Sequence, residues 1–103
     1  MHQLCDKYPD NFAMAYKAKD MLPIFESGRI PSVCGIEGGH QINGSLRALR
    51  MFFNLGARYM TLTHNGGPGW ADPAVDLDGS FCNDAPLGGL APFGVAVVKE
   101  MNR

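Results

Sequence analysis

The chain has 103 residues, a formal net charge of −1 and a 46% hydrophobic share. That balance argues against a disordered segment, which carries fewer apolar side chains and more net charge. Lys and Arg are scattered rather than gathered on one stripe, so no nucleic acid is expected as a partner. No apolar run approaches the roughly 18 residues of a membrane span, and the first residues lack the basic-then-apolar order of a secretory leader.

Three cysteines, Cys5, Cys34 and Cys82, are too few and too widely spaced for a C-x-x-C metal knuckle. They are read as buried thiols, and their odd count leaves at least one unpaired. From Met1 to Tyr8 the pattern is that of the tail of a helix, broken at Tyr8-Pro9-Asp10 because proline disfavours helix in the residue before it. Asp20 is expected to cap a short helix running to about Ser27, with Gly28 as its stop.

The run Ile30-Pro31-Ser32-Val33-Cys34-Gly35-Ile36 has the apolar character of one buried strand with Pro31 near its entrance, and Glu37 follows it. Ser45 to Leu55 places Leu46, Leu49 and Phe53 at helical spacing, with Gly56 as the stop. Arg58 to Thr63 is rich in aromatic and β-branched side chains and predicts a second strand, ending at His64. Asn65 to Gly89 is dense in Gly, Pro, Asp and Asn, giving a long loop with Trp70 and Phe81 as packing points. Pro92 at a first helical position introduces Phe93, Val97 and Met101, spaced by four. Strand, helix, strand, long loop and helix in this order predict an α/β fold of parallel strands with helical crossovers.

In such folds ligands bind beyond the carboxyl ends of the strands. Glu37 and His64 follow the two predicted strands, and strands joined by one helix are usually neighbours, so both side chains are expected on one rim. A carboxylate there can bridge two divalent metals, and an imidazole can bind metal, move a proton or support an oxyanion. Taken singly, Glu37 also reads as a solvated or ion-paired carboxylate and His64 as a structural imidazole. His40, past the Gly38-Gly39 turn, reads as a loop-packing or helix-entry histidine rather than a metal ligand. Asn65-Gly66-Gly67-Pro68-Gly69 lacks the spacing and lysine of a phosphate loop and reads as a turn. Asp72 reads as capping a local turn. Asp76, Asp78 and Asp84 lack the calcium-loop pattern and read as a solvated loop.

The runs Gly35-Ile36-Glu37-Gly38-Gly39-His40, Tyr59-Met60-Thr61-Leu62-Thr63-His64 and Trp70-Ala71-Asp72 closely resemble the membrane dipeptidase (renal dipeptidase) family of zinc peptidases. Leu90 to Gly94, Val97 to Arg103 and Tyr8-Pro9-Asp10 fit the same family, so the resemblance spans nearly the whole chain. It implies a (β/α)₈ TIM barrel that hydrolyses dipeptides with two zinc ions. It also implies that Glu37 is the metal residue bridging both ions and that His64 contacts the dipeptide substrate.

Members of the family are often homodimeric, and some are secreted or membrane-anchored. The chain is well short of the roughly 250 residues of a complete barrel. The family's His-x-Asp metal pair does not occur in it, and the two other metal histidines belong on strands after Arg103. Residues 1–103 are therefore expected to be an incomplete segment of a single metallo-dipeptidase barrel domain, inactive alone for want of ligands. The alternative is a non-catalytic fragment acting as an interaction module through uncovered strand edges and apolar helix faces.

Overall fold

The structure is a computed structural model and describes every residue from Met1 to Arg103. Its elements are α1 (His2–Lys7), β1 (Phe12–Met14), α2 (Ala18–Glu26), β2 (Ile30–Ser32), β3 (Cys34–Ile36), a 3₁₀ turn (Gly39–Ile42), α3 (Leu46–Asn54), β4 (Ala57–Met60) and α4 (Pro92–Met101). Two compact units form: Met1–Gly35 with Gly56–Tyr59, and Ile36–Leu55 with Met60–Arg103. The strands make two two-stranded sheets, β1 with β2 and β3 with β4. The fold is thus α/β, and no sheet closes on itself.

In the first unit β1 and β2 run parallel, with Phe12 opposite Ile30 and Met14 opposite Ser32. Parallel partners need a crossover, and α2 supplies it. The pairing is prolonged at both ends, where Ile30 N–H donates to Asn11 O at 2.7 Å and Ala15 N–H to Ser32 O at 2.9 Å. β1 escaped the sequence pattern because three residues are too few to show an alternation.

Asp20 is not the N-cap of α2. That position is Lys17, and Asp20 is the third helical residue, whose Oδ2 accepts from the backbone N–H groups of Lys17 at 2.8 Å and Tyr16 at 3.1 Å. A carboxylate there satisfies amides left free at the helix start and faces the positive end of the helix dipole. At the other end Gly28 takes φ 81°, a left-handed conformation that stops the helix, as its sequence position predicts.

The predicted single strand Ile30 to Ile36 is two strands interrupted at Val33, because the run changes partner there. Residues before Val33 pair with β1, and those after it pair with β4. The helix expected from Ser45 forms as α3, with the Ser45 hydroxyl accepting from Ala48 N–H at 3.3 Å as a side-chain cap.

The second unit gathers Ile42, Leu49, Met60, Trp70, Ala71 and Val97 into one buried cluster, with Ile36, Leu46, Phe52, Leu62 and Phe93 packed against it. Helix α4 begins at Pro92 as predicted and sends Val97 into the centre of that core, fully buried. The Arg50 guanidinium of α3 donates to Glu100 of α4 at 2.6 Å, tying the two helices. Between β4 and α4 the chain has no helix or strand beyond the isolated bridges Ala71 with Leu90 and Val75 with Phe81. Trp70 is buried in the core as expected, whereas Phe81 is 79% exposed and does not pin the loop. Its neighbours hold by backbone bonds instead, such as Asp76 N–H to Ser80 O and Cys82 N–H to Ala74 O. All three cysteines are free thiols; Cys5 is buried as expected, whereas Cys34 and Cys82 are only half-buried.

Candidate functional site

β3 ends at Ile36, and the chain turns at once. Gly38 adopts φ 101° and ψ 127°, a conformation closed to side-chain-bearing residues, so the turn after Glu37 depends on it. Gly39, without a Cβ, lets the Trp70 ring and the Leu62 carbonyl press against the backbone. The sequence run Arg58 to Thr63 is a ladder strand only as far as Met60. Beyond it Thr61 N–H still donates to Ile36 O at 3.0 Å, the Thr61 hydroxyl accepts from Gly38 N–H at 2.7 Å, and Leu62 O accepts from Gly39 N–H at 3.1 Å. The strand stops there because the Thr61 side chain, rather than a carbonyl, takes the next amide.

This seam brings Glu37 and His64 together, as their strand-end positions predict. Glu37 Oε1 lies 3.7 Å from His64 Nε2, with the side chains 80% and 50% exposed. The separation is too long for a hydrogen bond. No protein donor occupies either oxygen of Glu37, so carboxylate and imidazole face solvent side by side, open to a shared ligand.

The other candidate residues make local contacts. The His40 ring folds over Gly38, where a Cβ would strike it, in keeping with the packing role read for it. Trp70 packs against Gly39 and Gly94, meets Phe93 edge-on with ring centres 6.1 Å apart, and accepts Ala91 N–H on its carbonyl at 3.0 Å. Asp72 accepts from Leu87 N–H at 3.1 Å and Gly89 N–H at 2.8 Å, closing the long loop on itself. Gly66 N–H donates to Val75 O at 2.8 Å, tying the glycine-rich stretch to the later part of the loop. The Asp78 carboxylate is engaged by the Ser80 hydroxyl and amide, which hold its pKa below the usual range.

Nowhere do three or more His, Cys, Asp or Glu side chains converge. Of the pair, the Glu37 carboxylate is an oxygen donor of the kind zinc accepts, and one such donor is fewer than the three protein ligands of a catalytic zinc site. The sequence predicted that Glu37 and His64 share one rim, but not the Thr61 contact with the turn, since Thr61 looked like one more β-branched strand residue. The signal was present in its position, a hydroxyl three residues before the strand-end histidine.

The fold of this chain is similar to part of a crystal structure of the probable dipeptidase PvdM from Pseudomonas aeruginosa. The two match with a TM-score of 0.82 and 26% identity, over 98% of this chain and 25% of that one. Residues 1–103 match the sequence model of the membrane dipeptidase family (Peptidase family M19), and the chain belongs to that family. Dipeptidase verJ of Clonostachys rogersoniana is 40% identical over 103 residues, covering all of this chain and 25% of the relative. Dipeptidase tcpJ of Claviceps purpurea (strain 20.1) is 39% identical over 104 residues, covering all of this chain and 23% of the relative. The chain thus spans about a quarter of the length of the curated relatives it matches. No helix is long and apolar enough to cross a membrane.

Proposed function

We propose that residues 1–103 are a segment of a single TIM-barrel domain of a zinc-dependent dipeptidase. In this account Glu37 is the carboxylate shared by two zinc ions, and His64 faces the dipeptide substrate. The observation that carries it is the meeting of Glu37 and His64 at 3.7 Å, both open to solvent, in a chain that matches dipeptidases from end to end. When bound, the metal pair supplies the Lewis acidity that makes a water nucleophilic near neutral pH.

The chain's own residues then have distinct tasks. Glu37 would hold the ions. In this reading the His64 imidazole, beside it, would donate a hydrogen bond to the substrate oxygen that gains charge as the amide is attacked. The Gly38-Gly39 turn keeps bulk away from the carboxylate, and Trp70 beneath Gly39 keeps that turn from shifting. Glu37 alone falls short of the three protein ligands of a catalytic zinc, so this segment by itself is expected to be inactive. The same reading carries the family's homodimer as its expected assembly.

The test is the intact mass of the endogenous polypeptide bearing this sequence, followed by dipeptide hydrolysis on that polypeptide with and without zinc. A several-fold heavier, zinc-dependent dipeptidase is expected. A polypeptide of this mass alone, without hydrolysis, would favour the non-catalytic interaction module. The apolar side chains of Leu22 and Phe25 on α2, 62% and 68% exposed, would then be its contact face.

A further inference from the structure

Glu37 is an exposed side chain on a flexible stem, so the protein controls where it stands chiefly through the two peptide groups on either side of it. Both are held by one residue. Thr61 N–H donates to the Ile36 carbonyl at 3.0 Å, and the Thr61 hydroxyl accepts from the Gly38 amide at 2.7 Å. Gly38 is buried, so its amide has no water to turn to if that hydroxyl is lost. Three residues further along the same backbone stands His64.

We propose that Thr61 is a positioning residue, whose main-chain and side-chain groups together fix the Glu37 carboxylate relative to His64 for binding the metal pair. The proposal rests on the assignment of Glu37 as a metal ligand. Its physical basis is the short range of metal bonds. Zinc takes oxygen at about 2.0–2.2 Å, and a ligand whose backbone drifts by a few tenths of an ångström binds it poorly. The Leu62 carbonyl, accepting from Gly39 N–H at 3.1 Å, continues the seam but lies beyond the turn. Only Thr61 grips both peptide groups adjoining Glu37, and only its grip on Gly38 is set by a side chain.

The experiment uses the full-length polypeptide that carries this sequence, stripped of metal and titrated with zinc against a chelator of known affinity. Thr61→Val keeps the branched shape and removes the acceptor, and it is expected to weaken zinc binding about ten- to hundred-fold, the range found when an outer-shell partner of a ligand is lost. Thr61→Ser restores the hydroxyl and is expected to bind zinc as the unaltered protein does, a rescue that loss of bulk alone would not give. Zinc affinity unchanged in Thr61→Val, with Glu37→Gln losing tight zinc, overturns the positioning role and leaves the ligand assignment standing. Zinc retained by Glu37→Gln overturns the ligand assignment itself. Should Thr61→Val fail to fold, Thr61→Ser and Thr61→Ala make the same comparison at small volume, and equal affinity in that pair overturns the proposal.

Discussion

Replacing Gly39 by alanine tests whether the turn after Glu37 is as tightly seated as its surroundings indicate. A Cβ at this position would stand 2.5 Å from the Leu62 carbonyl oxygen, roughly an ångström short of ordinary contact, and would also strike the Trp70 ring. Neither neighbour yields easily. Leu62 O is backbone and already accepts Gly39 N–H at 3.1 Å, while Trp70 is 5% exposed and wedged against Gly94. Forcing one extra methyl into a packed site costs about 1–3 kcal/mol. In urea, where small proteins show slopes of about 1–3 kcal/mol/M, that lowers the unfolding midpoint by roughly 1 M.

Gly69→Ala is the matched control. Gly69 has φ 80° but nothing within 4 Å of an added Cβ, so it carries only the left-handed backbone penalty of about 1–2 kcal/mol. Gly39→Ala has no such backbone penalty, and its cost is steric alone. The expected outcome is a lowered midpoint together with lost zinc affinity, because the seam beside Glu37 must open. Zinc affinity as in the unaltered protein, with an unchanged midpoint, would refute the reasoning.

Asp72→Ala should free the amides of Leu87 and Gly89. Hydrogen exchange should rise across residues 73–90, with a loss of about 0.5–1.5 kcal/mol because the freed amides are open to water; unchanged exchange would show that the loop closes without it. The hydrogen bond from Arg50, and then its charge, hold the Glu100 carboxyl below the usual carboxylate range despite opposing desolvation. A depressed carboxyl stabilises fully above its unfolded pKa of about 4.3, and that contribution is lost as pH falls through the lower folded value. The gap in denaturation midpoint between the unaltered protein and Arg50→Met should therefore persist at neutral pH and narrow below about pH 4. A gap that stays constant into acid would contradict the ion pair's role.

Where the sequence pattern was strong, the elements followed it. Leu46 and Leu49 at helical spacing became α3, Pro92 opened α4, and Gly28 ended α2. The misses arose where tertiary partners decide. Nothing local marks Val33 as the point where one apolar run changes partner, and Asp20 caps equally well by reaching back as by standing first. Phe81 looked like an anchor because it is aromatic, yet backbone bonds between turn residues hold that loop instead. At the site, Glu37 and His64 were legible because strand ends and a recognisable family pattern coincided. The Thr61 hydrogen bond was not legible, since it exists only once the Gly38 amide lies opposite its hydroxyl.

The most direct test of the central claim is the zinc content of the full-length polypeptide carrying this sequence, measured by elemental analysis beside its Glu37→Gln variant. The account predicts bound zinc in the unaltered protein and loss of tight zinc in the variant, because the neutral amide cannot serve as a shared anionic ligand. Equal zinc in both, or none in the unaltered protein, would contradict Glu37 as a metal ligand and with it the zinc-dependent dipeptidase mechanism proposed for this chain.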